Sequence, residues 1–471
     1  MSIRSRTLLA IASLAVSSSL ASAADETSST DLIKRIEELD QQVKILARKA
    51  EIADEAAIEK AKTAVSAKAD ENGFSIGNSD KNNPFSAKLG VLLQVDGRFW
   101  INDGDSRQTG VEQANTFLVR RAQPTLDFQL GKYSRARVQA SFSGTSGNFD
   151  LLETWVEFKP TEKLAVTAGR FKTIGIEYRN SSGGLTFPER GLPSGLVPSY
   201  EVGVAVGGKV GDYGIWLAGV SNGSPDGTTR LSDNDDDKDS FVLLSATPFK
   251  AGGSDLLKGL AVHLGASYGY ETGVGGAAAT NSLTAQYRSV SQASIFAYNI
   301  AAFASGERLR LAPAIEWYSG PIGVLAEYVR STQNITRGTH RADIGITAWQ
   351  IVASYVLTGE DKAAGGVKPK QAFNPEAGTW GAFEVAARVG ELNIDNEVFN
   401  NAGGNAFAVA NTQVSKATSA SLGVNWWLNK NLKWQLSGDY TRFEGGAGTS
   451  VNAVRDRESE KVVVSRFQVN F

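Results

Sequence analysis

The sequence of 471 residues contains no cysteine, one methionine and two histidines. The absence of cysteine excludes disulfide frameworks, thiolate zinc sites and cysteine nucleophiles. His263 and His340 are too few for a histidine metal cluster, so the sequence predicts neither a metal nor a cofactor. Beyond the first 23 residues, no segment approaches the ~18 consecutive apolar residues of a membrane-spanning helix. An α-helical membrane protein is therefore excluded.

An excess of charge of one sign is also missing, because 48 basic residues face 50 acidic ones. This balance gives no indication of a nucleic-acid-binding surface. No Ser-His-Asp set and no pair of carboxylates stands out, so we predict a protein that is not an enzyme. Length alone allows about three soluble domains or one large β-barrel.

The first segment has the features of a secretory signal peptide. Arg4 and Arg6 form a positively charged start, an apolar and small-residue stretch follows from Thr7 to Leu20, and Ala21–Ala23 fits the A-x-A cleavage pattern. We therefore predict a signal peptide at residues 1–23, with a short buried helix as the alternative. The mature chain is then expected to cross a membrane.

The next segment carries apolar residues spaced alternately four and three apart. They are Leu32, Ile36, Leu39, Val43, Leu46, Ala50, Ala53 and Ala57. This heptad spacing is typical of a coiled coil, and an isolated amphipathic helix is the alternative. We predict a periplasmic coiled-coil helix at residues 24–72. The Gly- and Asn-rich residues 73–84 are predicted to form a linker.

From Phe85 onward, apolar and polar residues alternate with a period of two, as in strands with one apolar and one polar face. Residues 87–99, 135–142, 308–316 and 383–389 show the pattern. A soluble sandwich would alternate as well. With one strand and its connection per roughly 24 residues, residues 85–471 would supply about 16 strands, an even number as expected for a bacterial barrel.

Two features favour an outer-membrane barrel over a sandwich. Trp434 and Tyr440 lie on one strand face about 20 Å apart, which fits the two aromatic girdles of such barrels. The alternating strand Val463–Phe471 ends in Phe, which resembles the signal recognised by the outer-membrane assembly machinery. We predict an all-β, antiparallel transmembrane barrel at residues 85–471, embedded in the lipid of the bacterial outer membrane.

Behind the heptad segment, the chain carries the motifs Phe117–Arg121, Gly169–Lys172, Phe187–Arg190, Ser354–Glu360, Gly381–Val385 and Gly423–Trp427. In their order and spacing, these motifs resemble the phosphate-selective porin O and P family. The resemblance implies a homotrimer of 16-stranded barrels. It also implies a third loop, near residues 173–200, that folds inward as a constriction, and passive diffusion of small anions such as phosphate or polyphosphate.

Basic residues are the candidate pore lining. Alternation predicts that Arg121, Arg135, Arg137, Arg308, Arg310 and Arg388 face the lumen, as do Lys88, Arg98, Lys433 and Arg466. In the third loop, the candidates are Lys172, Arg179 and Arg190, and the resemblance implies that Arg190 points at the constriction. Guanidinium groups bind oxyanions bidentately and stay charged. The alternative is that these cations pair with inward-facing carboxylates.

The chain departs from the family's phosphate channels in two places. Ser181-Ser182 is followed by Gly183-Gly184, where those channels have a lysine, and no strand carries a long run of alternating arginines. The sequence is therefore compatible with a phosphate-selective pore and with a general, weakly anion-preferring pore. The alternative function is a structural or adhesive barrel. In that barrel the coiled-coil helix would be the working part, whereas in a porin it would either support trimer formation or bind the cell wall.

Overall fold

The computed structural model describes residues 29–101, 114–142, 149–233, 235–252, 254–276 and 281–471. The predicted signal peptide lies outside these residues. The chain divides into two compact units, one ending at Ala64 and one spanning Val65–Phe471.

A single long helix, Ser29–Thr63, represents the first unit. Its predicted seam is exposed, for example at Leu39 (59%) and Leu46 (65%). A helix with such an exposed apolar stripe gains little stability from the burial of that stripe. Among the described residues, no helix is long and apolar enough to cross a membrane.

The second unit consists almost entirely of strands. They are β1 (Ser66–Asp70), β2 (Gly73–Gly77), β3 (Phe85–Trp100), β4 (Thr116–Leu130), β5 (Ser134–Phe142), β6 (Phe149–Thr161), β7 (Leu164–Phe171), β8 (Glu201–Val210), β9 (Gly214–Ser221), β10 (Asp239–Ala246), β11 (Leu260–Thr272), β12 (Gln286–Arg288), β13 (Ser294–Ala297), β14 (Phe303–Ser319), β15 (Ile322–Arg337), β16 (His340–Val356), β17 (Lys362–Ala363), β18 (Gly366–Val367), β19 (Ala382–Ile394), β20 (Val414–Trp427), β21 (Leu432–Gly448), β22 (Val454–Asp456) and β23 (Glu460–Asn470). Short helical turns lie at Ile176–Arg179, Leu192–Leu196, Pro375–Ala377, Asn396–Phe399 and Ala402–Gly404.

Sixteen of these strands form a closed antiparallel barrel, which confirms the predicted fold. Each barrel strand pairs with the next along the chain, and β23 pairs back with β3, with Arg466 opposite Asp96. The strands outside the ring are β1, β2, β12, β13, β17, β18 and β22. Closure pairs β23 with residues 92–100 of β3, so the ring has no free edge over that length.

The segment between the helix and the barrel differs from the prediction. Instead of helix up to residue 72 and then a linker, β1 and β2 form a hairpin, and β2 pairs with residues 86–89 of β3. Lys430 donates to Glu71 at 2.9 Å from the turn between β20 and β21. The hairpin thus occupies the edge of β3 beyond the point where β23 ends. Period-two alternation over only five residues was too short to reveal it.

Side chains along the barrel strands alternate between lumen and outer surface. On β14, Arg308 and Arg310 face inward and are buried, whereas Leu309 and Leu311 are about 40% exposed outside. Near the loop ends of β15 and β16 the polarity reverses. There Ile335 and Ile344 face inward and are buried, while the outer surface carries polar residues such as Arg341.

The lumen is filled on this side by an apolar core. Inward-facing residues of β15, β16 and β19 pack with Leu196 and Val197 after β7, with Phe296 on β13 and with Phe407 after β19. Three connections at the same end of the barrel therefore meet inside it. This filling occupies the lumen beside β15 to β19, and open space lies along the opposite wall, β3 to β7.

Candidate functional site

The connection between β7 and β8, residues 172–200, makes contacts deep inside the barrel. Asn425 of β20 donates to the Thr186 carbonyl at 2.9 Å, and Lys433 of β21 donates to the Leu185 carbonyl at 2.9 Å. On the other side, the Glu327 carboxylate of β15 accepts from the backbone N–H of Ile176 at 2.6 Å. Because these strands lie at different points around the ring, the loop is fixed across the lumen.

A second segment, residues 357–381, enters from the opposite end, where most connections are short turns. The ammonium group of the buried Lys362 forms an ion pair with Glu384 of β19 at 2.6 Å. It also donates to the hydroxyl of Thr186, in the connection between β7 and β8, at 3.2 Å. Gly366 has a φ of 110°, and a Cβ there would lie 2.2 Å from the Trp427 ring. Only glycine fits this close approach. The two inserted segments therefore support each other.

Among the residues that the structure describes, two cavities lie beside β3 to β7. The upper cavity has a volume of about 360 Å³ and reaches the loop end of the barrel at Gln292. The lower cavity, of about 250 Å³, reaches the short-turn end at Asn470. Gln123, Ser182 and Tyr200 line both cavities. The two spaces therefore adjoin at these three side chains.

The cavity walls carry more basic than acidic groups. The upper cavity is lined by Arg120, Arg121, Arg190, Arg288, Asp150 and Glu189. The lower one is lined by Lys88, Arg137, Lys172, Arg179, Asp127 and Glu153. Four basic and two acidic residues in each give eight against four in total. Such an excess of basic residues makes the local electrostatic potential more positive, and neighbouring low-dielectric walls focus that field.

Glu189 is the centre of the charged groups at the upper cavity. Four arginines, which we call the tetrad, surround its carboxylate: Arg98, Arg120, Arg121 and Arg466. Arg120 binds it in a bidentate manner, with nitrogen–oxygen distances of 2.6 and 3.0 Å. Burial alone raises the pKa of the Glu189 carboxyl, but the tetrad's charges outweigh burial and hold that pKa well below its usual value. Glu189 is therefore an anion.

A second carboxylate, that of Asp96 on β3, also forms ion pairs with arginines of the tetrad. It binds Arg466 at 2.6 and 2.7 Å and Arg98 at 3.0 Å. Four guanidinium groups thus share two carboxylates, which leaves an excess of two positive charges. Arg120 and Arg121 lie at the cavity surface, whereas Arg466 is fully buried behind them.

Alternation along β4 predicts Arg121 as an inward residue but misses Arg120. The register with β3 shifts here, since Gln94 lies opposite Arg121 and Val95 lies opposite Val119. The extra residue forms a β-bulge, which lets two consecutive side chains point to the same side. Both arginines therefore reach Glu189. The period-two pattern of the sequence does not indicate where a one-residue bulge occurs.

Arg190 stabilises the inserted loop from within. Its guanidinium donates to the Asn180 carbonyl and the Ser182 hydroxyl at 3.1 Å each and lies over the Tyr178 ring at 4.6 Å. Arg179 likewise donates to the Thr173 carbonyl at 3.0 Å. Each residue also lines a cavity, Arg190 the upper one and Arg179 the lower one.

Lys172 lies just after β7, at the wall of the lower cavity. Its ammonium is 3.7 Å from Glu153 and lies over the rings of both Tyr178 and Tyr200. Burial lowers the pKa of Lys172 to about 7, and the nearby charge of Arg190 adds to the effect. This cation therefore titrates near neutral pH. Arg137 of β5 lies in the same cavity, between Asp127 at 2.6 Å and Glu153 at 3.0 Å.

The remaining predicted residues line neither cavity. Arg308 and Arg310 belong to a sealed cluster with Asp226, Asp239 and Glu271. Arg388 is buried, donates to the Glu189 carbonyl at 2.8 Å and stacks on Phe187. Arg135 pairs with Glu157 at the short-turn end, where its side chain is 48% exposed.

A family model described as "Phosphate-selective porin O and P" matches residues 93–471. The chain belongs to this family. The protein is therefore an outer-membrane porin, a channel-forming barrel. The match also confirms the resemblance that the motifs indicated.

The chain is also similar to solved structures of outer-membrane proteins. The outer membrane channel DcaP of Acinetobacter baumannii is 11% identical, with a TM-score of 0.51 over 82% of this chain and 97% of that one. At that identity the likeness shows the fold alone. OmpT of Vibrio cholerae, in-vitro folded and in trimer form, is 11% identical, with a TM-score of 0.47 over 82% of this chain and 99% of that one. Among curated proteins, none matches the porin in sequence.

Proposed function

We propose that the porin conducts small anions along β3 to β7, through the upper and then the lower cavity. The observation that carries this proposal is the pair of adjoining cavities, lined by eight basic and four acidic residues. An anion would pass from Arg288 to the Arg120–Arg121 pair, then to Lys172 and Arg137. Several weak sites in succession attract an ion without trapping it.

The inserted loop at residues 172–200 is the constriction of this route. Ser182 and Tyr200 from the loop face Gln123 from β4 where the cavities adjoin. The loop's hydrogen bonds to β15, β20 and β21 support a fixed position rather than a mobile lid. A narrow, rigid passage with basic walls fits small oxyanions such as phosphate as well as halides.

The test is a planar bilayer that contains the purified porin under a KCl gradient. We expect a reversal potential of the sign given by chloride permeation, and a partial block of chloride current by added phosphate. A cation-selective reversal potential would contradict the anion proposal. The complete absence of conductance would favour the structural or adhesive alternative. Gln123→Trp narrows the proposed junction and should lower the conductance, whereas Leu309→Trp, on the outer face of β14, should not.

We also propose that the porin is a homotrimer whose N-terminal helices associate in the periplasm. The support is the exposed heptad seam from Leu32 to Ala57 on a helix of 35 residues. A coiled coil would bury this stripe. A deletion of residues 29–63 should lower the thermal stability of the trimer while the single-channel conductance stays unchanged. Equal trimer stability with and without the helix would argue against self-association.

A further inference from the structure

Glu189 has an arrangement unlike the other carboxylates of the cavity wall. Asp127 meets one arginine and Glu153 meets one arginine and one lysine, whereas Glu189 meets four arginines and is 5% exposed. Its two oxygens accept from the tetrad on both sides, as the oxygens of a bound oxyanion do. It also lines the upper cavity, so it stands between the permeation space and the buried Arg98 and Arg466.

The position of Glu189 in the chain is equally informative. It lies on the inserted loop, whereas the tetrad lies on β3, β4 and β23. Arg466 also donates to the Pro188 carbonyl and Arg388 to the Glu189 carbonyl, so the backbone holds the loop even without the carboxylate. The side chain is therefore separable from the anchoring of its loop.

We propose that the tetrad is a binding site for a multivalent oxyanion and that Glu189 is its tethered occupant, which masks the site. The anion would reach Arg120 and Arg121 from the upper cavity. Masking keeps passing anions from being held tightly, because the donors that would grip them are already used by the carboxylate. The proposal rests on the proposed function only for the route by which the anion arrives.

The central experiment replaces the tethered carboxylate with a free anion. In Glu189→Ala, the tetrad keeps one carboxylate, Asp96, and phosphate from solution has room to enter. A ligand that binds only the folded protein raises its stability. We therefore expect the thermal unfolding midpoint of this variant to rise with inorganic phosphate but not with chloride at equal ionic strength. The wild-type midpoint should respond to neither.

Glu157→Ala is the matched control, since it removes a carboxylate of the same kind whose partner is the exposed Arg135. Its midpoint should show no difference between phosphate and chloride. Equal midpoints of Glu189→Ala in phosphate and chloride would overturn the proposal. This readout does not depend on transport, so it separates a failure of the masking proposal from a failure of the anion-channel proposal.

A second variant tests whether phosphate binds because the Glu189 carboxylate no longer competes for the arginines, or only because the net positive charge has increased. Arg120→Gln with Glu189→Ala leaves three arginines and Asp96, so the excess stays at two positive charges. In a planar bilayer, we expect phosphate to block the chloride current of this double variant at a concentration about tenfold lower than in the wild type. Equal blocking concentrations would show that net charge alone sets phosphate binding and would overturn the masking proposal. The double variant also tests the masking proposal if the single variant Glu189→Ala does not refold in either salt.

Discussion

The porin contains two arginine clusters of opposite character. The tetrad has an excess of positive charge and borders the upper cavity, whereas the sealed cluster of Arg308 and Arg310 holds three carboxylates for two arginines and lines neither cavity. The alternation pattern predicts inward-facing arginines in both clusters, such as Arg121 in the tetrad and Arg310 in the sealed cluster. The comparison shows that facing the lumen does not make a residue part of a pore when part of the lumen is filled.

The largest expected effect separates the clusters by stability. Arg310→Met removes a fully buried cation that binds Asp226 at 2.6 Å and Asp239 at 3.1 Å. Because these carboxylates would lose a buried partner, we expect the free energy of unfolding to fall by about 3–5 kcal/mol. Urea unfolding in lipid vesicles measures the change. The control, Arg135→Met, breaks an exposed pair and should cost less than about 1 kcal/mol.

That experiment also bears on ion selectivity. If the sealed cluster is purely structural, Arg310→Met channels that insert should keep the wild-type ratio of anion to cation permeability. A clear drop in that ratio would mean that Arg310 faces the permeation route, and the distinction between the two clusters would be lost.

The next effect concerns the open cluster. Arg121→Gln removes one positive charge at the upper cavity, and a unit charge ~4 Å from an ion contributes about 1 kcal/mol in water. We therefore expect the anion-to-cation permeability ratio to fall about fivefold, measured from reversal potentials in a salt gradient. Arg135→Gln, which lies outside both cavities, should leave the ratio unchanged. Equal effects of the two variants would contradict the assigned route.

The smallest effect is a dependence on pH. Since the pKa of Lys172 is about 7, this lysine is charged at pH 5.5 and mostly neutral at pH 8.5. Anion preference should therefore decrease as the pH rises through 7. The charged and titratable groups around Lys172 are Glu153, Arg121, Arg179, Arg190, Tyr178 and Tyr200. Lys172→Met should abolish the change, and a persistent change in that variant would assign it to another group.

The sequence was sufficient for the barrel, because the period-two alternation of long strands follows directly from one apolar and one polar face. The sequence was not sufficient to predict which part of the lumen is filled and which part is open. Whether Arg310 or Arg121 borders open space depends on connections far away in the chain, such as the loop that brings Asp226 against Arg310. The inward position of Arg120 depends on a β-bulge. The surroundings of Glu189 depend on four arginines of the strands that come from distant positions in the chain. Long-range packing of this kind leaves no local pattern.

The hairpin β1–β2 has a consequence for how the barrel is completed. Without it, residues 86–89 of β3 would present unpaired backbone groups, and such an edge invites pairing with another chain. β2 covers that edge, and Glu71 at its turn meets Lys430 between β20 and β21. Since these partners come together only when the first strand has met the last, the hairpin can dock fully only on a closed ring.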